Sequence, residues 1–208
     1  MLTDPRFTTE VEITVPFHDV DMMGVVWHGN YFRYFEIARE ALLNQFDYGY
    51  RQMKASGYVW PVVDTRVKYR DAVTFEQRIR VRAHIEEYEN RLRIAYQIFD
   101  AQTGKRTTTG YTIQVAVEEA TREMCFVSPA ILFERMGVTQ IIHMQIPYGH
   151  AHIDGLVNMA SHDVAMIHAS QVPYDVCDAL KKKGIKLLEC PSRNEAKETL
   201  AINYVAIE

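Results

Sequence analysis

A short stretch near the N-terminus gathers the residue types that attack on a carbonyl carbon requires. It reads Phe17-His18-Asp19-Val20-Asp21-Met22-Met23-Gly24-Val25-Val26-Trp27-His28-Gly29-Asn30-Tyr31. Such an attack needs a base or nucleophile beside the carbonyl, and hydrogen-bond donors where negative charge develops on its oxygen. Asp21 offers the carboxylate. The donors come from the residues that follow, which have a helical pattern. The first backbone N–H groups of a helix lack intrahelical acceptors and carry the positive end of its dipole. His28 stands at that helix start, with a side chain that either donates or holds a water. Gly24 and Gly29 let backbone approach a ligand closely. Trp27 and Tyr31 either line a channel to the reacting atom or pack inside. Asp19 reads as the carboxylate that holds the loop, and Glu36 as a solvated or paired side chain on the polar side of the helix.

The elements that must position these residues show in the periodicity. Val11, Ile13, Val15 and Phe17 alternate with polar residues, which predicts a half-buried strand. Tyr31, Phe32, Tyr34, Phe35, Ile37, Ala38, Ala41, Leu42 and Phe46 then recur at helical spacing. That helix is apolar over a wide arc and is expected to be largely covered, with Asn30 as its cap. Four alternating runs follow: Val63-Thr65-Val67-Tyr69, Ile79-Val81-Ala83-Ile85, Leu92-Ile94-Tyr96-Ile98 and Tyr111-Ile113-Val115-Val117. Short polar connections between them suit antiparallel hairpins. A strand, a covered helix and an antiparallel meander predict an α+β fold, a sheet wrapped around a long central helix.

With this architecture, the loop resembles the signature of the hotdog-fold acyl-CoA thioesterases related to 4-hydroxybenzoyl-CoA thioesterase. That signature is roughly Asp-x-Asp-x-x-Gly-(Val/Ile)-Val-(Trp/Tyr)-(His/Tyr)-x-Asn-Tyr ahead of an aromatic-rich helix. This chain matches it at Asp19, Asp21, Gly24, Val25, Val26, Trp27, His28, Asn30 and Tyr31. Similarity of pattern runs on to about Val117, and the Ser128-to-Gly137 stretch is similar to the family's closing helix. The resemblance implies hydrolysis of acyl-CoA to the free acid and CoA, with no metal and no cofactor. It makes Asp21 the carboxylate that attacks the carbonyl or activates water, and the backbone N–H of His28 the group that polarises the carbonyl. A histidine there is similar to the branch acting on short or medium acyl chains. Gly24, Val25, Trp27, Gly29, Asn30 and Tyr31 become substrate-contacting residues. It also implies a tunnel between subunits, hence a homodimer or homotetramer. Met22-Met23 departs from the small residues or proline of relatives and leaves the acyl group open. The rows Arg66/Lys68/Arg70 and Arg78/Arg80/Arg82 either meet CoA phosphates or merely mark an exposed sheet face. The competing reading is a module that binds acyl-CoA or acyl-carrier protein without hydrolysing it.

The rhythm changes near Val138, which predicts a thioesterase domain over residues 1–138 and a small α/β segment over 139–208. The second part shows a strand over 141–146, a loop over 147–155, two short apolar runs, a helix over 174–183 closed by Gly184, and strands over 185–189 and 200–207. Five of the eight histidines lie here. His150-Ala151-His152-Ile153-Asp154 has the opening spacing of a zinc motif, but Gly155 stands where that motif needs a further histidine. The segment resembles one section of the arginine deiminase and amidinotransferase group, with His152 and Asp154 at its acid/base and guanidinium-binding positions. Cys177 and Cys190 do not stand where that group keeps its nucleophile, so no deiminase activity is expected. A segment of this size is expected to dock on the thioesterase or a partner subunit.

Bulk properties exclude other classes. The net charge of −4 argues against nucleic acid or an anionic membrane as partner, since both call for a basic excess. No apolar run is long enough to span a bilayer, and the N-terminus lacks the layout of a secretion signal. Cys125, Cys177 and Cys190 show no CxxC spacing and read as thiols of a reducing, cytoplasmic setting.

Overall fold

Five strands form one antiparallel sheet: β1 (Thr8–Thr14), β3 (Val62–Tyr69), β4 (Arg78–Glu87), β5 (Leu92–Asp100) and β6 (Arg106–Gln114), in the order β1-β4-β5-β6-β3. They belong to a computed structural model described for residues 5–138, 140, 142, 144 and 155–190. The chain divides into two units, residues 1–139 and 140–208. In the first, helix α1 (Tyr31–Asn44) packs on the sheet, chiefly against β1 and β4. A short helix α2 (Tyr50–Ala55), a two-residue strand pair β2 (Tyr58–Val59) with β7 (Val117–Glu118), and helix α3 (Ala130–Arg135) complete it.

The pleat and the helical repeat explain the core. In β4 and β5, Ile79, Val81, Ala83, Ile85, Leu92, Ile94, Tyr96 and Ile98 are all buried, at every second position. They meet Tyr34, Phe35, Ala38, Leu42 and Leu43, which share one face of α1. Phe35 stacks on Tyr96 with ring centroids 4.4 Å apart. Gly110 makes room for that ring: a Cβ there would lie 2.8 Å from Phe35 and 2.7 Å from the backbone oxygen of Arg66.

Four details differ from the sequence expectation. The last long strand has the opposite phase. Thr108, Gly110, Thr112 and Gln114 pair with the core residues Ile98, Tyr96, Ile94 and Leu92, and so share their inner face, leaving Tyr111 and Ile113 on the outer one. The run Val63–Tyr69 is not half-buried: β3 is the sheet's edge and all but one of its residues are exposed. Because α1 sits over the β1–β4 side, Phe32 and Ile37 stay exposed rather than covered, while Arg39 is buried with its Nε–H bonded to the Tyr50 hydroxyl. Phe17 leaves the first strand for a 3-10 turn and is exposed, edge-on to Phe75.

The second unit holds strands β8 (Val157–Met159), β9 (Val164–Ile167) and β10 (Lys186–Glu189) with helix α4 (Tyr174–Lys182) between the last two. Parallel β9 and β10 joined by a helix form a βαβ unit, with β8 antiparallel on the other side of β9. Leu156, Ile167 and Val172 make its small core. Gly184, at φ +79°, follows the helix in the left-handed region that ends helices. Of the strand expected over 141–146 only residues 142 and 144 are described, neither of them in a strand; the strand expected over 200–207, and His150, His152 and Asp154, lie outside the described residues.

Candidate active site

The loop ahead of α1 is a chain of tight turns, each fixed by a backbone bond. Residues Phe17–Asp19 form one 3-10 turn, closed by Asp19 N–H on the Pro16 carbonyl at 3.1 Å. Val20 then pairs with Val26 across a reversal. Within it, Asp21 N–H donates to Val25 O at 2.8 Å and Gly24 N–H to Asp21 O at 2.9 Å. Gly24 has φ +76°, a conformation that favours glycine over any side chain. Val26 N–H donates to Val73 O at 2.7 Å, which ties the reversal to the β3–β4 connection. A second 3-10 turn, His28–Asn30, leads into α1. Its first bond runs from Asn30 N–H to Trp27 O at 2.8 Å, so the N–H groups of His28 and Gly29 precede any intrahelical acceptor. Asn30 stands at the N-cap position of α1, as expected, but its backbone is already helical and its side chain makes no capping bond, donating instead to the Asp19 carbonyl at 3.0 Å.

The two aspartates have been put to different uses. Asp19 is 2% exposed. Its carboxylate accepts from Arg33 Nη1 at 2.7 Å and from the Tyr34 hydroxyl at 2.8 Å, and its carbonyl also accepts from Trp27 N–H at 2.9 Å. It anchors both ends of the loop to the first turn of α1. Burial, and then the bond to Asp19, push the Tyr34 phenol well above its ordinary value. Asp21 is partly exposed, and among the described residues its carboxylate makes one hydrogen bond, from Met23 N–H at 2.8 Å. It is in no ion pair among them.

Beside the helix start lies an open hollow of about 370 Å³. Of the residues singled out by sequence, Val25, His28 and Tyr31 line it; Asp21, Gly24, Trp27, Gly29 and Asn30 do not. Its opposite wall is Tyr69 at the end of β3 with Arg70, Asp71 and Ala72 after it; Arg70 belongs to a row offered from sequence to the CoA phosphates, whereas Tyr69, Asp71 and Ala72 had no assigned role. Tyr69 donates its hydroxyl to the His28 carbonyl at 2.8 Å, and its ring stands edge-on to Tyr31 at 4.9 Å. The aromatic end of the alternating run was visible; its reach across to His28 was not, because that depends on where α1 begins. Burial raises the phenols of both Tyr31 and Tyr69. The Trp27 ring lies against His28, centroids 4.7 Å apart, and a Cβ on Gly29 would come within 2.1 Å of it.

The two arginine rows also part company. Arg78 pairs with Glu12, and Arg80 and Arg82 with Glu10 at 2.7 and 3.2 Å, across the β1–β4 ladder. Arg66, Lys68 and Arg70, on the edge strand, meet no carboxylate partner among the described residues. Also among the described residues, no three His, Cys, Asp or Glu side chains gather where they can hold a metal, and no helix is long and apolar enough to cross a membrane.

Residues 15–176 match the family described as the Thioesterase-like superfamily. The chain belongs to that superfamily. Its first unit has the hotdog fold of thioesterase-like proteins. A DHNA-CoA thioesterase from Staphylococcus aureus is similar at 30% identity and a TM-score of 0.54, over 57% of this chain and 80% of the other. A hypothetical protein from Thermus thermophilus is similar at 25% identity and a TM-score of 0.56, over 63% and 98%. In sequence, a Bacillus subtilis protein assigned provisionally as an acyl-CoA thioesterase is 34% identical over 77 residues, 37% of this chain and 56% of that protein. A Synechocystis protein assigned provisionally as an esterase is 28% identical over 128 residues, 61% of this chain and 77% of that protein. The chain thus spans little more than half the length of the Bacillus relative. The likeness of residues 139–208 to guanidino-modifying enzymes has no counterpart in these matches, and the superfamily match itself crosses the unit boundary into α4.

Proposed function

We propose that this member of the superfamily hydrolyses acyl-CoA thioesters to the free acid and CoA. Asp21 acts as base or nucleophile, and the backbone N–H of His28 polarises the thioester carbonyl. The observation that carries this reading is the division of labour between the aspartates. Asp19 is buried and committed to fixing the loop, while Asp21 is partly exposed, in no ion pair among the described residues, and held on the same loop as the helix-start N–H groups that precede any intrahelical acceptor. As base, Asp21 takes a proton from water as its oxygen bonds to the carbonyl carbon. Collapse of the tetrahedral species then breaks the C–S bond, and the thiolate leaves to be protonated as CoA–SH. As nucleophile, Asp21 forms a mixed anhydride first, which water cleaves. Charge on the carbonyl oxygen meets the N–H of His28 and the dipole of the helix in either route. The similar Staphylococcus protein is a DHNA-CoA thioesterase, which agrees with this chemistry.

Gly24, Val25, Trp27, Gly29, Asn30 and Tyr31 are the proposed substrate contacts, and Arg66, Lys68 and Arg70, which pair with no carboxylate among the described residues, the cations that meet CoA phosphates. The hollow is open and β3 uncovered, which suits closure by a second copy in a homodimer or homotetramer. Residues 139–208 are proposed as a separate domain, and the free thiols of Cys125 and Cys177 fit a cytoplasmic setting. A non-hydrolytic acyl-CoA or acyl-carrier-protein binding module is the competing reading, favoured by the absence of Asp21 from the wall of the hollow. Release of free thiol from short, long and aromatic acyl-CoAs decides between them. Turnover on any of them supports the enzyme, and tight binding without thiol release across the panel rejects it.

A further inference from the structure

Tyr69 ends the edge strand β3, and its hydroxyl donates to the His28 carbonyl at 2.8 Å. A trans peptide is a rigid plane in which the carbonyl and the next residue's N–H point in opposite directions. Holding the His28 carbonyl from the β3 side therefore sets the direction of the Gly29 N–H, which points the other way, out of the helix start. The carbonyl oxygen has two lone pairs, so it can accept from Tyr69 and from the following turn of α1 together. Hydrogen bonds in series also polarise one another. Accepting the Tyr69 proton draws electron density towards the oxygen and makes the Gly29 N–H a stronger donor.

We propose that Tyr69 is a positioning residue: it orients and polarises the His28–Gly29 peptide so that the Gly29 N–H joins that of His28 as a second donor to the developing oxyanion. This rests on the hydrolytic reading given above. Three further observations agree with it. Tyr69 and His28 line the same hollow. The Tyr69 ring is braced edge-on by Tyr31, which is 3% exposed. The Tyr69 phenol, ordinarily a protonated donor at neutral pH, is raised further by burial. Position 29 moreover has no room for a side chain under the Trp27 ring, so its backbone is all it can offer a ligand.

Tyr69→Phe tests this, because it keeps the ring and its contact with Tyr31 and removes only the donor. The expected result is a fall in kcat of about 10- to 100-fold with KM for acyl-CoA changed by less than about twofold, as for a weakened oxyanion donor. In the free protein, the ¹⁵N resonance of the Gly29 amide is expected to move upfield as its peptide loses polarisation. A merely structural tie would lower kcat and raise KM together, with earlier thermal unfolding; that result overturns the proposal, as does an unchanged kcat. An unmoved Gly29 amide overturns it whatever the turnover. Wild-type protein that released no thiol from any acyl-CoA would instead overturn the hydrolytic reading, and the amide shift, which needs no turnover, would still decide whether Tyr69 sets the peptide.

Discussion

Replacing Asp19 by alanine removes the acceptor that ties the loop to α1, and the cost follows from what it leaves behind. The Tyr34 hydroxyl is buried and loses its partner at 2.8 Å, a stranded donor worth about 1–3 kcal/mol. The Arg33 side chain is 58% exposed, so water replaces its 2.7 Å bond at a cost of about 0–1 kcal/mol. The sum is about 1–4 kcal/mol. Tyr34→Phe leaves the carboxylate with Arg33 and should cost about 1–2 kcal/mol. Because each single change strands the other's partner, the double variant should cost about 1–2 kcal/mol less than the sum of the singles. Urea unfolding of the four proteins measures this, provided the slope of free energy against denaturant stays constant. Asp19→Ala should also lower kcat more than Tyr34→Phe does: both keep the Asp19 backbone carbonyl that Trp27 N–H and the Asn30 side chain bond to, but only Asp19→Ala frees this stretch from Arg33 as well as Tyr34. Additivity within about 0.5 kcal/mol would refute the reasoning, because the pair would then not share one bond.

Other consequences are more compact. Burial raises the phenols of Tyr31, Tyr34 and Tyr96 above their ordinary value of 10.0. The unfolded chain therefore ionises first, so stability is intact below about pH 10 and falls as pH rises beyond it, by less in Tyr34→Phe; the urea midpoint followed with pH reads this. Gly110→Ala should cost about 1–3 kcal/mol by pressing on Phe35 and the Arg66 backbone, with Phe35→Leu restoring part of the loss in thermal melts. Changing Arg66, Lys68 and Arg70 together to alanine should raise KM for acyl-CoA about tenfold and flatten its salt dependence, whereas Arg80→Ala with Arg82→Ala, which breaks pairs with Glu10, should leave KM nearly unchanged.

The parts of the fold that repeat were the legible ones. The β4 and β5 alternation identifies the buried faces because nothing competes with it, and the apolar stripe of α1 does so for Tyr34, Phe35, Ala38 and Leu42 though not for Phe32 and Ile37. In β6 the signal misled. Tyr111, Ile113 and Val115 form the more apolar row, yet register places Thr108, Gly110, Thr112 and Gln114 inside, where Tyr96 and Thr112 exchange a 2.9 Å hydroxyl bond. Hydropathy alone could not anticipate that polar inner row. Arg39 was hidden for the same reason: its guanidinium is buried against Tyr50 and Tyr96, which lie far from it in sequence. At the site, the order of residues from Asp19 to Tyr31 was enough to pick out Asp19 as the carboxylate that holds the loop. It was not enough to place the wall of the hollow. Tyr69 and Arg70 come from a strand more than thirty residues on, and only the closure of the sheet brings them beside His28.

The most direct test of the central claim sets Asp21→Asn beside the wild type, with acyl-CoA binding and thiol release measured on the same protein. The substitution keeps the size of the side chain and an oxygen that can accept the Met23 N–H, and removes the charge. Asp21 as base or nucleophile predicts acyl-CoA affinity within a few-fold of wild type and kcat lower by at least about 100-fold. Thiol release at the wild-type rate from Asp21→Asn would contradict it.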